Sequence, residues 1–145
     1  MRETTYQLLS HTESNLIEAA KKASYQAYAP YSHFMVGSAV LLQDGTIVTG
    51  NNQENKAYGS CVCAERVALL YATANYAHTP PVAIAIAACY NGQFTKQPVT
   101  PCGECRQVLA EMQSRFNTPI RVLMYGEDVC CIANDISELL PLAFN

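Results

Sequence analysis

Apolar residues recur along this chain with two different periods, and the switches between them mark out its elements. Ser10-His11-Thr12-Glu13 has the form of a capping box, and Leu16, Ala20, Ala23 and Ala27 follow it on one helical face. Pro30 predicts that this helix stops soon after Ala29. Residues 34–43 and 46–50 are β-rich and meet at Asp44-Gly45, a strong hairpin signal. Residues 64–76, rich in Ala and Leu, predict a second helix that ends before Pro80-Pro81. Residues 82–90 read as a strand buried on both faces. Asn91-Gly92 opens a loop that reaches Pro101, and residues 103–116 form a third helix. Two more strands follow at 120–125 and 129–133, then a short terminal helix at 136–140.

The resulting order is α-β-β-α-β-α-β-β-α. It implies an α/β fold: a three-layer α-β-α sandwich around a mixed five-stranded sheet. With 145 residues, 50% of them hydrophobic and 14% charged, the chain fits a single domain over 1–145 with a substantial core. A net charge of -3 and the lack of a Lys/Arg cluster argue against a nucleic-acid partner. The longest apolar run, residues 82–89, is too short to span a bilayer, and the first residues lack the apolar stretch of a signal peptide. Seven cysteines in such a chain point to a reducing compartment, so the expected location is cytoplasmic, with no membrane partner.

The candidate chemistry lies in Cys63-Ala64-Glu65 and Pro101-Cys102-Gly103-Glu104-Cys105. Both segments open predicted helices, where unpaired N–H groups and the positive end of the dipole favour thiolate. Cys102 and Cys105, three residues apart, point the same way, and Cys63 adds a third sulfur. Three thiolates leave one position of a tetrahedral zinc ion open, the form of a catalytic site. Glu65 is then placed to move protons there, and the pattern is the C-x-E…P-C-x-x-C variant of the zinc deaminase signature. Arg66 offers hydrogen bonds to the sulfurs and so draws off part of their negative charge. Spacing leaves a second reading open: Cys61, Cys63, Cys102 and Cys105 could form a closed structural site, with Glu65 on the surface of a binding module. Cys89, Cys130 and Cys131 fall in predicted strands and read as buried apolar residues, and His33 reads as structural.

Five segments in order resemble the cytidine deaminases of the small, homotetrameric kind with a three-cysteine zinc site. They are Tyr28-Ala29-Pro30-Tyr31-Ser32, Phe34-Met35-Val36-Gly37, Asn52-Gln53-Glu54-Asn55, Cys63-Ala64-Glu65-Arg66, and Pro101 through Gln107; Leu139-Leu140-Pro141 with Phe144 closes the match. The resemblance implies Cys63, Cys102 and Cys105 as Zn²⁺ ligands and Glu65 as proton shuttle. It implies Asn52 and Glu54 at the ribose 3′-hydroxyl and Phe34 stacked on the pyrimidine. Tyr58 and Phe144 would complete a neighbouring subunit's pocket, so active sites would be shared. The implied reaction is hydrolysis of cytidine and deoxycytidine to uridine and deoxyuridine with release of ammonia, a step of pyrimidine salvage. Met35, Ser38 and Glu104 depart from residues usual at their positions in the family. A related deaminase of the nucleoside antibiotic blasticidin S is the nearest rival, and Phe34 with Asn52-x-Glu54-Asn55 favours a plain nucleoside.

Overall fold

Ser10 starts the first helix as its sequence predicts. In the computed structural model, which describes residues 1–144, the Glu13 N–H donates to Ser10 Oγ at 3.3 Å and the Ser10 N–H to Glu13 Oε2 at 2.9 Å. Helix α1 spans His11–Ser24, short of the expected end near Ala29, and Ala27 lies outside it. The reason is tertiary. The Tyr28 N–H donates to the Asn52 carbonyl and the Glu54 N–H to the Tyr28 carbonyl, so the chain leaves the helix to bridge the segment after the hairpin. Three i→i+3 bonds, from Tyr25, Gln26 and Ala27, tighten the exit.

The sheet has seven strands rather than five: β1 (Arg2–Thr4), β2 (Phe34–Leu42), β3 (Ile47–Asn51), β4 (Pro81–Tyr90), β5 (Gln93–Phe94), β6 (Arg121–Met124) and β7 (Cys130–Ala133). Their order is β1-β7-β6-β4-β2-β3, with β5 paired to β4. The β4–β6 pairing is parallel and the others are antiparallel, so the sheet is mixed as expected. The two extra strands are edge pieces with little apolar signal. β1 is polar and is held by backbone pairing to β7. β5 follows Asn91 and Gly92, whose φ values of 51° and 76° make a two-residue hairpin turn where a loop was expected.

Helix α2 (Ala64–Asn75) and helix α3 (Gly103–Phe116) cover one face of the sheet, and α1 covers the other. Strand β4 sorts its side chains accordingly. Ile84 and Ile86 join Leu69 and Leu109 under α2 and α3, while Ala83, Ala85 and Ala87 meet Leu16, Ile17 and Ala20 of α1. Small residues on the α1 side let that helix approach closely. The terminal helix expected at 136–140 is a 3₁₀ turn, Ile136–Glu138. The Ser137 N–H donates to Asp135 Oδ1 at 2.7 Å to start it, and Pro141 disfavours helical geometry at Leu140. Among the described residues, no helix is long and apolar enough to cross a membrane.

Candidate metal centre

Two helix starts converge to make the site. Cys63 is the N-cap of α2 and Cys102 the N-cap of α3; both are extended, and neither side chain caps its helix, so both sulfurs are free to face elsewhere. Cys105 follows in the first turn of α3 and is fully buried. Cys63 Sγ lies 3.7 Å from Cys102 Sγ, which lies 3.6 Å from Cys105 Sγ, and all three are within 4.8 Å of one another. These separations are far too long for disulfides. They fit zinc: tetrahedral coordination with Zn–S of about 2.3 Å places sulfurs about 3.8 Å apart.

The donor set has matching acid–base character. Hydrogen bonding from Cys105 holds the Cys63 thiol down to about 5 against the effect of burial, and Cys102 and Arg66 lower it further. The Cys105 thiol is pushed up, first by its hydrogen bond to Cys63, then by burial and the charge of Glu65. Cys63 therefore ionises readily, and a dication is what lets Cys105 follow. Glu65 is 5% exposed, and burial raises its carboxyl above the usual range, with the Cys63 charge adding to the shift.

A cavity of about 200 Å³ opens over this cluster, lined by Val36, Asn52, Cys63, Ala64, Glu65, Val99, Thr100 and Cys102. Asn52 spends both ends of its amide on strand β2: Oδ1 accepts from the Val36 N–H at 2.7 Å and Nδ2 donates to the Phe34 carbonyl at 3.0 Å. Its side chain thus continues the β2–β3 ladder beyond Asn51 and fixes the wall of the cavity. Glu54 lines a neighbouring recess with Tyr31, Ser32, Asn55, Tyr58 and Cys61. The Ser32 hydroxyl donates to Glu54 Oε1, and the Tyr31 and Ser32 N–H groups donate to Oε2 at 2.8 and 3.3 Å. Those bonds, the Ser32 hydroxyl first, hold its carboxyl below the ordinary range, so it is an ionised acceptor.

The structure does not bring every expected residue to the cavity. Phe34 is partly exposed at the start of β2 and does not line it. Tyr58 is 86% exposed on a 3₁₀ turn, and Phe144 is 85% exposed, with its N–H and carbonyl both bonded to the Gln107 side chain on α3. Arg66 sends its hydrogen bonds elsewhere than expected: Nη2 donates to the Cys61 carbonyl at 3.3 Å, and Nη1 pairs with Glu104 Oε2 at 3.0 Å. Four lining residues, Val36, Ala64, Val99 and Thr100, carried no chemical signal in the sequence beyond their proximity to the cysteines or Phe34. Gln107, which ties Phe144 to α3, stood in the sequence only as the last residue of the segment from Pro101.

Cys61 stands apart from the sulfur cluster. Its Sγ accepts from the Asn55 N–H at 3.2 Å and donates to the Asn55 carbonyl at 3.6 Å, within the recess around Glu54. This removes the closed four-cysteine alternative. Substituting Cys61 with serine should leave one zinc per chain by metal analysis; loss of the metal would restore the closed site. Cys89, Cys130 and Cys131 are buried in β4 and β7, as expected of apolar fillers.

Comparison with known proteins agrees with this geometry. Residues 10–118 match the family described as the cytidine and deoxycytidylate deaminase zinc-binding region. A cytidine deaminase of Halalkalibacterium halodurans is 44% identical over 129 residues, covering 89% of this chain and 91% of that protein. One from Sporosarcina psychrophila is 42% identical over 130 residues, covering 90% of this chain and 89% of its own length. The crystal structure of cytidine deaminase from Burkholderia pseudomallei superposes with a TM-score of 0.77 at 41% identity, covering 94% of this chain and 100% of that one. With most of its length and its fold in common with these proteins, the chain belongs to the cytidine and deoxycytidylate deaminase family.

Proposed function

We propose that the protein is a zinc-dependent cytidine deaminase that hydrolyses cytidine and deoxycytidine to uridine and deoxyuridine with release of ammonia. The observation that carries this reading is the zinc-spaced sulfur cluster at one cavity with the buried carboxyl of Glu65. Cys63, Cys102 and Cys105 hold the ion. When bound, zinc supplies the Lewis acidity that makes a water acidic enough to give hydroxide near neutral pH. Glu65 takes the proton that this water loses and carries it to N3 of the cytosine ring, which makes C4 more electrophilic. The oxygen adds to C4. Glu65 then moves the second proton from the new C4 hydroxyl to the amino nitrogen, the C4–N bond breaks, and ammonia leaves while uridine keeps the oxygen. Its raised carboxyl suits this traffic, since an acid shifted toward neutrality both accepts and returns a proton.

Asn52 and Glu54 meet the ribose 3′-hydroxyl in this reading, with Glu54 as the ionised acceptor and Asn52 held in place by β2. Phe34 stacks on the pyrimidine. Tyr58 and Phe144 serve the pocket of a neighbouring copy in a homotetramer. Their exposure supports this, as does a cavity of about 200 Å³, small beside the roughly 300–1,000 Å³ of most ligand pockets. Seven free thiols support a cytoplasmic setting, and the net charge of -3 supports a free nucleoside over a nucleic-acid strand.

The test is a panel of cytidine, deoxycytidine, free cytosine, dCMP and blasticidin S, followed by ultraviolet absorbance and ammonia release. Turnover of the two nucleosides, with little of the others, is expected. Preference for blasticidin S would move the protein to the related family, and no turnover of any would overturn the enzyme reading.

A further inference from the structure

One side of the cavity over the sulfur cluster carries Val99 and Thr100, in a stretch without helix or strand between β5 and α3. Upstream the chain is anchored. The Asp128 N–H donates to the Lys96 carbonyl at 3.0 Å, and a Cβ on Gly126 would fall 2.6 Å from that same oxygen. Downstream, Cys102 begins α3. Between these anchors, Val99, Thr100 and Pro101 make no backbone–backbone hydrogen bond among the described residues, and the two flanking prolines have no N–H to give. A side chain reaches in instead. Arg106, on α3, turns back so that Nε–H donates to the Pro101 carbonyl at 2.8 Å and Nη2 reaches Thr100 Oγ1 at 3.5 Å. Its third corner points the other way: Nη1 donates to the Leu139 carbonyl at 3.1 Å, just past the final 3₁₀ turn. Leu139 in turn packs against the core beneath α2 and α3. One rigid plane of donors thus spans two segments far apart in sequence.

We propose that Arg106 is a positioning residue for the nucleoside: its guanidinium clamps the Thr100-Pro101 wall of the cavity to the C-terminal segment at Leu139. This rests on the reading of that cavity as the nucleoside pocket. Without the clamp the wall is looser in the free protein, so binding must first order it, at a cost in affinity. That cost falls equally on the bound substrate and the transition state, so KM rises while kcat holds. The side chain's hydrogen bonds go to Pro101, Thr100 and Leu139 and to none of the three sulfurs, which leaves the metal and Glu65 to their chemistry. Lysine at position 106 would keep the charge and lose the planar fork that joins the two segments.

The experiment compares R106Q and R106K with the wild type by cytidine kinetics, zinc per chain and methyl order from NMR relaxation. R106Q should raise KM about tenfold, the size of effect that losing one hydrogen bond from a charged donor gives, with kcat within about threefold. Zinc per chain should match the wild type. The Val99 and Leu139 methyls should lose order together, while Ile17 on α1, across the sheet, keeps its own. In R106K one ammonium cannot serve all the acceptors of the fork, so KM should stay at least about threefold above the wild type. This milder variant carries the same test if R106Q does not fold. A KM within about twofold of the wild type in both variants, full recovery by lysine, or an equal loss of order at Ile17 would overturn the proposal. A wild-type protein that does not turn over cytidine would overturn the nucleoside reading instead. The clamp would then stand or fall on whether Val99 and Leu139 loosen together.

Discussion

Replacing Glu65 by glutamine is expected to lower kcat for cytidine by about a thousandfold and to leave zinc content unchanged. Glutamine has the same shape and fills the same space beside Cys63, but it can neither take a proton nor return one. A positioned acid–base group contributes about 10²–10⁴-fold, and in the proposed mechanism Glu65 serves two transfers in each turnover, so the upper half of that range is expected. The metal stays because its ligands are sulfurs, and Glu65 is not among the atoms that cluster at the site. Stability should not fall with activity. A carboxyl that is 5% exposed, with its pKa raised by burial, is held at some cost to the fold. The glutamine variant should therefore melt at or above the wild-type temperature, which separates loss of chemistry from loss of structure. The checks are kcat by ultraviolet absorbance, zinc per chain by metal analysis, and calorimetry. A fully metallated variant within tenfold of the wild-type kcat would place the proton shuttle elsewhere.

Local signals that agreed with tertiary structure were legible. Helix α3 was expected over residues 103–116 and spans Gly103–Phe116 because both ends are written locally: Pro101 and Cys102 before it, and Asn117, in the left-handed region at φ 47°, after it. The hairpin at Asp44-Gly45 and the buried strand β4 were equally plain. The end of α1 was not, since an alanine-rich face continues to Ala27 while the pairing of Tyr28 with the segment after β3 draws the chain away. Nor were β1 and β5, which are held by backbone pairing rather than by side-chain pattern.

The site divides in the same way. Cys102 and Cys105 share a helix face by their spacing alone. Bringing Cys63 to them, and turning Cys61 away to Asn55, depends on where α2 starts relative to α3. The Arg66–Glu104 pair has the same origin, because it crosses between helices nearly forty residues apart in sequence. Tyr58 and Phe144 were legible only through resemblance, as both side chains stay largely exposed within one chain.

Replacing Gly37 by alanine is expected to cost about 3 kcal/mol or more, enough to lower the melting temperature by about 10 °C. The residue lies in β2, where α1 presses closest. A Cβ there would fall 1.9 Å from the Ala20 carbonyl oxygen and 2.4 Å from the Ser24 nitrogen. Both are backbone atoms, so no rotamer change relieves the clash and the helix must move as a body away from the sheet. Its contacts through Leu16, Ile17 and Ala20 would open with it. Gly59 is the control, since a Cβ there meets nothing within 4 Å and alanine should change stability by less than about 0.5 kcal/mol. The effect should also reach the site. Gly37 adjoins Val36, whose N–H holds Asn52 against the cavity wall, so displacement of β2 loosens the surface that meets the nucleoside. A Gly37→Ala protein that folds at low temperature should therefore show a raised KM for cytidine with its zinc retained, because the cysteines stand on α2 and α3 across the sheet from α1. Melting within about 2 °C of the wild type would mean that α1 does not approach β2 this closely in solution.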